Sequence, residues 1–385
     1  MAAMLLGLRE VPTIALEHLS EPQAKAFMIA DNRLTDNSAW DERLLAEQLK
    51  ELSVLDLDFS LEITGFTMGE IDLRIENLSP APDGKVDPAD VLPEASPGVA
   101  VTRRGDLWLL DEHRVHCRSA LESAAFATLM QGETAAMGFT DPPYNVPIEG
   151  HVSGLGAIHH REFAMAVGEM SPAQFTTFLT RALSAHADHS TEGSIHFVFT
   201  DWRHLTEVLA AGAKAYTELK NLCIWAKDSP GMGSLYRSQH ELIFVFKKGR
   251  AAHRNNVQLG QYGRNRSNLW CYPAANSFAR NTSDEGNLLG YHPTPKPVAL
   301  VADAILDCSG RNEIVLDGFL GSGSTLIAAQ RTGRRCFGLE LDPLYVDTVV
   351  RRWEAFTGGR AVRAGSDVFF DDLENRREES RHGGN

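Results

Sequence analysis

The stretch EIVLDGFLGSGSTLIAAQRTGRRCFGLELDPLYVD, residues 313–347, decides the fold class of this chain. A short apolar run ends at Asp317, a glycine-containing turn then opens a helical pattern, and a second apolar run ends at Glu340. Glycines let a backbone approach a ligand closely, and an acid about twenty residues further on can accept hydrogen bonds from ribose hydroxyls. The stretch therefore predicts a βαβ unit that holds a nucleotide-like ligand at its turn.

The turn also narrows the class of ligand. No Lys-Ser or Lys-Thr pair follows the glycines, which excludes a Walker phosphate loop. Leu326 stands where a dinucleotide fingerprint needs a third glycine after Gly321 and Gly323. Asp317 at the start of the turn would repel a pyrophosphate and attract a cation. S-adenosylmethionine, which combines adenosine hydroxyls with a positive sulfonium, fits these constraints.

Strand and helix patterns alternate from Val99 onward. The predicted strands are Asp106–Leu110, Ala135–Thr140, Ser194–Phe199, Asn221–Ala226, Leu242–Lys247, Glu313–Leu316 and Arg335–Leu341. The predicted helices are Pro172–Ala187, Leu205–Ala211, Pro297–Asp307, Ser324–Arg331 and Pro343–Phe356. This alternation predicts an α/β fold with a Rossmann-like, doubly wound and mainly parallel sheet. EPQAKAFMIADNRL and WDERLLAEQLKEL show helical spacing, so we expect a small, mostly helical N-terminal segment before it.

Composition divides the chain into four parts. Residues 1–78 form the N-terminal segment, and residues 79–98, rich in Pro and Asp without periodicity, are expected to be a linker. Residues 99–360 form the sheet domain. Residues 361–385 are polar, and we expect a frayed or disordered tail there.

The motif TDPPYNVP, residues 140–147, directly follows the apolar run AAMGF. Its two prolines cannot continue a strand, so Asp141 and Tyr144 are expected to project from the carboxyl end of that strand. Ligands of open α/β sheets bind at this end. Asp-Pro is also ordinary turn chemistry, so the motif by itself leaves a plain surface turn open.

The net charge of −14 is unevenly distributed. Residues 1–100 hold 19 acidic and 7 basic residues, a net charge of −12, which leaves the other 285 residues at −2. The segment 242–283 contains no acid but seven basic residues. Such a run is usually a solvated face, but without any carboxylate it is also a candidate for contact with phosphates.

Five widely spaced cysteines without a C-x-x-C pair predict a reduced, cytoplasmic protein without a structural zinc site. The N-terminal MAAMLLGL is too short for a secretory signal, and no apolar run is long enough to span a membrane.

Asp141-Pro142-Pro143-Tyr144, together with DGFLGSGST (residues 317–325), resembles the amino-methyltransferases of DNA, which methylate N6 of adenine or N4 of cytosine. HPTPKPVALVADAIL (292–306) looks like the segment that precedes the cofactor strand of this family. NLCIWAKDSPGMGSLYRSQHELIFVFKKG (221–249) is similar to the strands on the far side of the sheet. The catalytic motif comes first and the cofactor motif last, which is the order of the permuted β class.

The resemblance implies a chemical role for Asp141, Pro142, Pro143 and Tyr144. A carboxylate and a backbone carbonyl, held by a stiff Pro-Pro turn, can accept both N–H bonds of an exocyclic amine and localise its lone pair. Tyr144 would stack on a base swung out of the duplex. Asp rather than Ser at position 141 favours adenine N6, and cytosine N4 is the alternative.

The resemblance also implies cofactor and DNA contacts. The expected S-adenosylmethionine residues are Lys296, Pro297, Asp317, Phe319, Gly321, Ser322, Gly323, Ser324, Thr325 and Glu340. The expected partner is double-stranded DNA, which residues 242–291 would contact. A homodimer is left open, and no metal is expected. The expected DNA-contacting residues are Lys247, Lys248, Arg250, Arg254, Arg264, Arg266 and Arg280.

The chain departs from the family at three positions. CRSA stands where relatives usually read CGDA, so the acid expected at Ser119 is missing. Gly318 stands where relatives usually have Pro, and Ser324 where Thr is commoner. These departures motivate a further alternative, a catalytically weak DNA-binding protein that keeps the fold.

The N-terminal stretch VPTIALEHLSEPQAKAFMIADNRLTDNSAWDE (11–42) resembles the later part of a ParB/sulfiredoxin-like domain. The earlier G-H-G-R motif of that domain is absent, so we expect either a truncated ParB/sulfiredoxin-like segment or a vestigial interaction module.

Overall fold

The computed structural model describes residues 41–53, 55, 60–76, 78, 87–93, 99–146, 168–231, 235–257, 260, 264–273 and 295–382. The helix expected in EPQAKAFMIADNRL lies outside these residues. So do Arg280 and most of the C-terminal half of the expected DNA-contacting region.

Ten strands and nine helices fall within the described ranges. The strands are β1 (Leu107–Leu110), β2 (His113–Cys117), β3 (Ala135–Thr140), β4 (Ser190–Thr200), β5 (Glu218–Ala226), β6 (His240–Lys247), β7 (Leu269–Cys271), β8 (Ile314–Asp317), β9 (Arg335–Glu340) and β10 (Val362–Arg363). The helices are α1 (Glu42–Ser53), α2 (Met68–Glu76), α3 (Ser123–Met130), α4 (Pro172–Asp188), α5 (Leu205–Ala215), α6 (Val298–Cys308), α7 (Ser324–Thr332), α8 (Pro343–Thr357) and α9 (Phe370–His382).

All ten strands belong to one sheet, in the order β10-β1-β2-β9-β8-β3-β4-β6-β5-β7. The five central strands β2, β9, β8, β3 and β4 run parallel to one another. β6 is inserted antiparallel between β4 and β5, and β1 and β10 are antiparallel at the other edge. This arrangement confirms the predicted α/β fold with a doubly wound, mainly parallel sheet.

Both faces of the sheet are buried, as the alternation along β6 demonstrates. Ile243 and Val245 pack into the core that α6, α7 and α8 complete. Phe244 and Phe246 point to the other face, where α4 and α5 cover them. Alternate residues of a strand face opposite sides, so an uninterrupted apolar run requires helices on both.

β2 is a strand that the apolar pattern did not predict. Its sequence HRVHC places histidine in the core, where His113 is 3% exposed. The Nδ1 atom of His113 accepts the Cys336 N–H at 2.8 Å, and its Nε2 donates to Gln330 Oε1 at 2.9 Å. Burial lowers the pKa of His113 to about 4, so the ring stays neutral. Both ring nitrogens have partners, which makes burial of this polar ring tolerable.

Buried ion pairs attach the N-terminal helices to the sheet domain. Asp72 on α2 binds Arg334 at 2.6 Å and Arg311 at 3.1 Å. The side chains of Asp72 and Arg334 are 1% and 0% exposed. Glu76, one turn further along α2, binds Arg264 at 3.3 Å. The helical segment is therefore fixed against α6 and the start of β9.

The expected linker is packed against the sheet domain in its central part. Asp90 accepts the N–H of Val298 at 2.7 Å, at the start of α6. Arg352 donates to the carbonyl of Ala89 at 2.8 Å, and Ala89 is 3% exposed. Residues 87–93 of the expected linker are therefore packed on the sheet domain through these hydrogen bonds.

The expectation of a frayed or disordered tail is wrong for residues 361–382, which contain regular secondary structure. β10 adds to the sheet edge, and α9 follows it. Phe370 is 0% exposed and packs edge-on against Trp108, with ring centroids 5.3 Å apart. Arg351 binds Glu374 at 2.5 Å. Arg360 also binds Asp371 at 3.5 Å and Asp372 at 3.0 Å, so an aromatic anchor and several ion pairs dock this polar helix. No helix in the described part of the chain is both long and apolar enough to cross a membrane.

Candidate active site and cofactor pocket

The two motifs singled out in the sequence lie side by side at the carboxyl edge of the sheet. Asp141 directly follows β3, and Asp317 is the last residue of β8. These strands are parallel neighbours, with Gly138 opposite Leu316. Adjacent strands are about 4.8 Å apart, so the DPPY turn and the glycine turn open into one region.

The loop after β3 is held by Asn145. Its backbone is left-handed, with φ of 54°, a conformation that asparagine tolerates better than most residues. Its side-chain oxygen accepts the N–H groups of Gly168 and Met170 at 3.1 and 3.2 Å, and its amide donates to the Met170 carbonyl at 2.8 Å. These bonds tie the DPPY loop to the residues that immediately precede α4.

Asp141 belongs to a cluster of charged and phenolic groups. Tyr144 Oη lies 2.6 Å from Asp141 Oδ1 and 2.9 Å from Glu241 Oε2. Lys296 Nζ contacts Asp141 Oδ2 directly and lies 3.3 Å from Glu241 Oε2. Lys227 donates to the remaining oxygen of Glu241 at 2.6 Å. Two carboxylates, two ammonium groups and one hydroxyl thus form a charge-balanced network.

Aromatic rings surround the Lys296 ammonium. The ring centroids of Phe199, Tyr144 and Trp225 lie 5.3, 5.7 and 5.9 Å from its Nζ. Lys296 is 6% exposed. Aromatic faces attract a cation, and their apolar walls strengthen its attraction to the carboxylates. Trp225 is itself buried and donates to the Tyr272 carbonyl at 2.9 Å, so its main role is in packing.

The two carboxylates of this cluster have opposite pKa shifts. Burial alone would raise the pKa of Glu241, but the charges of Lys296 and Lys227 outweigh burial and lower that pKa to about 2. For Asp141, burial outweighs the attraction of Lys296, and the Glu241 charge adds to it, so the pKa is raised. Glu241 therefore holds the more stable negative charge, because it contacts both ammonium groups whereas Asp141 contacts only Lys296.

Glu241 was missed in the sequence because its position depends on strand direction. It stands near the start of the apolar strand β6 and is 6% exposed. β6 is antiparallel, so its first residues reach the edge where β3 and β4 end. A charged residue directly before the apolar run LIFVF was the available signal, but the direction of β6 could not be predicted from the sequence.

The candidate cofactor site is centred on Asp317 and Glu340. Asp317 accepts the Phe319 N–H at 3.0 Å and the Thr325 hydroxyl at 2.7 Å. Glu340 accepts the N–H groups of Gly321 and Asp342 at 2.9 and 2.8 Å. These bonds fix the turn but leave further lone pairs on each carboxylate for a ligand.

Gly323 is required by both conformation and space. Its φ is 86°, and a Cβ at this position would lie 3.1 Å from the side chain of Val349. Gly321 also has a positive φ, of 54°. The turn therefore approaches the next helices without side chains of its own at these positions.

Asp317 and Glu340 fit a ligand that carries hydroxyls and a positive charge. Burial raises the pKa of Asp317 and of Glu340 to about 7 in each case. Within the described ranges neither carboxylate forms an ion pair. A cation or hydroxyl donor placed here would stabilise their charged forms.

The other predicted cofactor residues are mainly involved in packing. Ser322, Ser324 and Thr325 are buried, and Arg352 donates to the Ser322 carbonyl and the Ser324 hydroxyl at 2.9 and 3.3 Å. Pro297 precedes α6, and Phe319 packs against Phe178 with centroids 6.0 Å apart.

Ser119, where the family resemblance leads us to expect an acid, follows the end of β2 beside Glu340. Its hydroxyl accepts the Leu121 N–H at 3.2 Å, and Ser119 is buried. The segment with CRSA in place of CGDA therefore borders the candidate cofactor site.

The basic segment that begins at Leu242 does not form one strip beside Asp141. β6 runs away from the DPPY edge, since Leu242 pairs with Thr200 at the end of β4 whereas Lys247 pairs with Ile195. Lys248 donates to the Ser190 carbonyl at 2.6 Å, and Arg254 binds Glu313 at 3.1 Å. Strand direction therefore places Lys247, Lys248, Arg250 and Arg254 at the edge of the sheet opposite Asp141. Their expected contact with DNA stays a prediction.

Arg264 and Arg266 have carboxylate partners from another part of the chain. Arg264 is 6% exposed and binds Asp307 at 2.9 Å and Asp303 at 3.1 Å. Arg266 binds Asp303 at 2.9 Å and Asp307 at 3.2 Å. The segment itself contains no acid, but Asp303 and Asp307 of α6 supply carboxylate partners for both arginines. Their expected contact with DNA stays a prediction.

Comparison with protein families identifies the chain. A family model described as DNA methylase, covering N6 and N4 enzymes, matches residues 135–351, which is more than half of the chain. The chain belongs to this DNA methylase family. S-adenosylmethionine is the methyl donor of the family. A second model, the ParB-methyltransferase HTH domain, matches residues 43–104 and confirms the ParB-like interpretation of the N-terminal part.

The chain is also similar to individual methyltransferases. It is 25% identical over 246 residues to the type II methyltransferase M2.MboI of Moraxella bovis, covering 60% of this chain and 85% of the relative. It is 37% identical over 99 residues to the type II methyltransferase M.ScaI of Streptomyces caespitosus, covering 26% and 32%. The structure of the cytosine-N4-specific PvuII DNA methyltransferase is 13% identical, with a TM-score of 0.47 and coverage of 74% of this chain and 94% of its own.

Proposed function

We propose that this methylase transfers a methyl group from S-adenosylmethionine to the exocyclic N6 amine of adenine in double-stranded DNA. The observation that carries the proposal is the adjacency of two sites on neighbouring parallel strands. Asp141 and Tyr144 follow β3, and Asp317 and the glycine turn follow β8. A methyl donor held at the second site would lie next to an amine held at the first.

Asp141 is the acceptor for the target amine. When bound, S-adenosylmethionine supplies an electrophilic methyl group on a positive sulfonium. The Asp141 carboxylate accepts one N–H of the amine and localises the nitrogen lone pair toward that methyl group. Pro142 and Pro143 keep the turn rigid, so the carboxylate is already oriented before the base arrives.

Glu241 makes Asp141 available. Tyr144 and Lys296 both donate hydrogen bonds to the Asp141 carboxylate. Each donor also lies close to Glu241 Oε2, at 2.9 and 3.3 Å respectively. The Tyr144 hydroxyl has a single hydrogen, so a small shift moves its bond from one acid to the other. Lys296 can shift in the same way. The incoming amine then takes the place that these two donors release on Asp141.

Adenine is favoured over cytosine by the resemblance at position 141. In the family that the sequence resembles, Asp rather than Ser at the first position of the catalytic motif favours adenine N6 as the target, and this chain has Asp at position 141. The complete cluster around Asp141 argues for an active enzyme rather than a DNA-binding remnant, although Ser119 replaces an expected acid.

The decisive experiment incubates the protein with methyl-labelled S-adenosylmethionine and mixed-sequence duplex DNA, followed by nuclease digestion and mass spectrometry of the nucleosides. We expect labelled N6-methyladenine. Labelled N4-methylcytosine would replace the adenine assignment while keeping the reaction class. DNA binding without any labelled nucleoside would overturn the enzymatic proposal in favour of a binding protein.

A further inference from the structure

His186 and Gly318 are joined by a buried hydrogen bond that no part of the catalytic cluster uses. Gly318 follows Asp317 in the cofactor turn, and its N–H donates to His186 Nε2 at 2.9 Å. His186 lies near the end of α4 and is 0% exposed. An unsatisfied backbone N–H in this position would cost free energy, so the imidazole has a specific partner to serve.

The tautomer of His186 is fixed by its second bond. Its Nδ1 donates to the carbonyl of Ala182, one turn back on α4, at 2.9 Å. The other nitrogen is therefore an acceptor, which is the role that the Gly318 N–H requires. Burial lowers the pKa of His186 to about 4, so the ring keeps this acceptor at neutral pH.

Gly318 is glycine because of space rather than backbone conformation. It is not among the described residues with positive φ. A Cβ at this position would lie 2.4 Å from His186 Cε1 and 2.8 Å from His186 Nε2, which real contacts do not allow. The imidazole thus fills the volume that a larger residue at position 318 would need.

We propose that His186 is the positioning residue of the cofactor turn, where its imidazole and Gly318 together replace the rigid proline expected after Asp317. Proline has no N–H and needs no acceptor, whereas glycine is flexible and exposes a donor. His186 removes both disadvantages, since it satisfies the donor and immobilises the peptide. A second contact of α4 with the turn, Phe178 on Phe319 at 6.0 Å, supports the same restraint. The inference rests on the proposed cofactor site.

The pairing predicts reciprocal rescue. In His186→Leu the Gly318 N–H loses its acceptor, and we expect S-adenosylmethionine affinity to fall by about tenfold with little change in KM for DNA. In Gly318→Pro the new ring collides with the imidazole, so affinity should fall as well. The double variant Gly318→Pro with His186→Ala removes both donor and obstacle, and we expect affinity to return to within about threefold of wild type.

His189 provides the matched control. Its Nδ1 bonds the Ala185 carbonyl at 2.9 Å, as that of His186 does with Ala182, and its ring stacks on Phe126 at 5.2 Å. It makes no bond to Gly318. His189→Leu should therefore leave cofactor affinity unchanged, which separates a contact with the turn from a general effect on α4.

The test is isothermal titration calorimetry with S-adenosylmethionine on wild type, the two single variants, the double variant and His189→Leu, with thermal unfolding of each. Rescue in the double variant supports the pairing even if a single variant fails to fold. A double variant no better than the worse single variant, or single variants that bind like wild type, would overturn it. If wild type itself binds no S-adenosylmethionine, the cofactor proposal fails. The unfolding midpoints of the same proteins then still decide the His186–Gly318 coupling.

Discussion

Tyr144 and Glu241 are joined by a 2.9 Å hydrogen bond between the loop after β3 and the start of β6. The same phenol lies 2.6 Å from Asp141, so one hydroxyl hydrogen faces two carboxylates. Glu241 keeps its charge because Lys296 and Lys227 lower its pKa to about 2. A permanently charged second acid gives Tyr144 and Lys296 a place to move when the target base approaches Asp141.

Glu241→Gln should lower the rate of methyl transfer by about 10²-fold, because the donors on Asp141 lose their charged alternative and the base is misplaced. S-adenosylmethionine affinity should stay near wild type. Glu218→Gln is the matched control, since Glu218 on the adjacent strand also faces two lysines, Lys220 at 3.1 Å and Lys247 at 3.9 Å. Single-turnover kinetics on duplex DNA compare the two variants, and equal rates would remove Glu241 from the mechanism.

Asp141→Ala should reduce methyl transfer by about 10²–10³-fold or more, the scale for loss of one preorganised electrostatic partner. Asp141→Asn keeps an acceptor oxygen but loses the charge that holds Lys296. We expect residual activity in the Asn variant and none in the Ala variant, with cofactor binding nearly intact in both. Wild-type turnover in both variants would return the DPPY motif to a plain surface turn.

The sequence predicted those parts of the site that depend on one strand and the turn after it. β3 has the predicted bounds, and Asp141, Asp317 and Glu340 stand at the carboxyl ends of their strands. The features it did not predict depend on chain direction or on partners far away in sequence. Glu241 reaches the site only because β6 is antiparallel.

Charge patterns in the sequence were misleading for a similar reason. Arg264 and Arg266 look free in a segment without acids, but Asp303 and Asp307 of α6 neutralise them. Hydrophobic patterns failed where a polar group is buried with its partners, as with His113 in β2. Linear composition does not contain these long-range pairings.

DNA should contact the carboxyl edge, since a base must reach Asp141 there. Arg203, after β4, and Arg237, before β6, are exposed cations at this edge. Arg203→Gln with Arg237→Gln should weaken DNA binding and reduce the salt slope by roughly one for each phosphate that the protein no longer neutralises. Arg250→Gln with Arg254→Gln, at the opposite edge, is the control of equal charge change. Fluorescence anisotropy at several salt concentrations measures the DNA affinity of both double variants. A larger loss of affinity in the control pair would show that DNA contacts the opposite edge of the sheet.

Cofactor binding should strengthen as pH rises from about 6 to 8. Burial raises the pKa of Asp317 and of Glu340 to about 7, so both acids are largely protonated at the lower pH. A cationic ligand favours the ionised forms, and its binding therefore releases protons in this window. Glu340→Gln should weaken the pH dependence, since only Asp317 of the two acids then titrates in this window. Glu354 also has a pKa raised to about 7, but it lies in the last turn of α8, bonded to the Ala361 N–H. Glu354→Gln should leave the calorimetric profile unchanged, and a flat wild-type profile would contradict the role of Asp317 and Glu340.

Asp72 should be one of the most sensitive positions for stability. It bridges Arg334 at 2.6 Å and Arg311 at 3.1 Å, and its own side chain is 1% exposed. Asp72→Ala leaves two buried guanidinium groups without this carboxylate, and breaking a buried pair from one side costs about 3–5 kcal/mol in free energy of unfolding. Arg43→Ala breaks the exposed pair with Glu47 on α1 and should leave the unfolding midpoint unchanged. Urea unfolding followed by tryptophan fluorescence measures both variants. An Asp72→Ala midpoint equal to wild type would mean that the N-terminal helices are not held to the sheet domain by this contact.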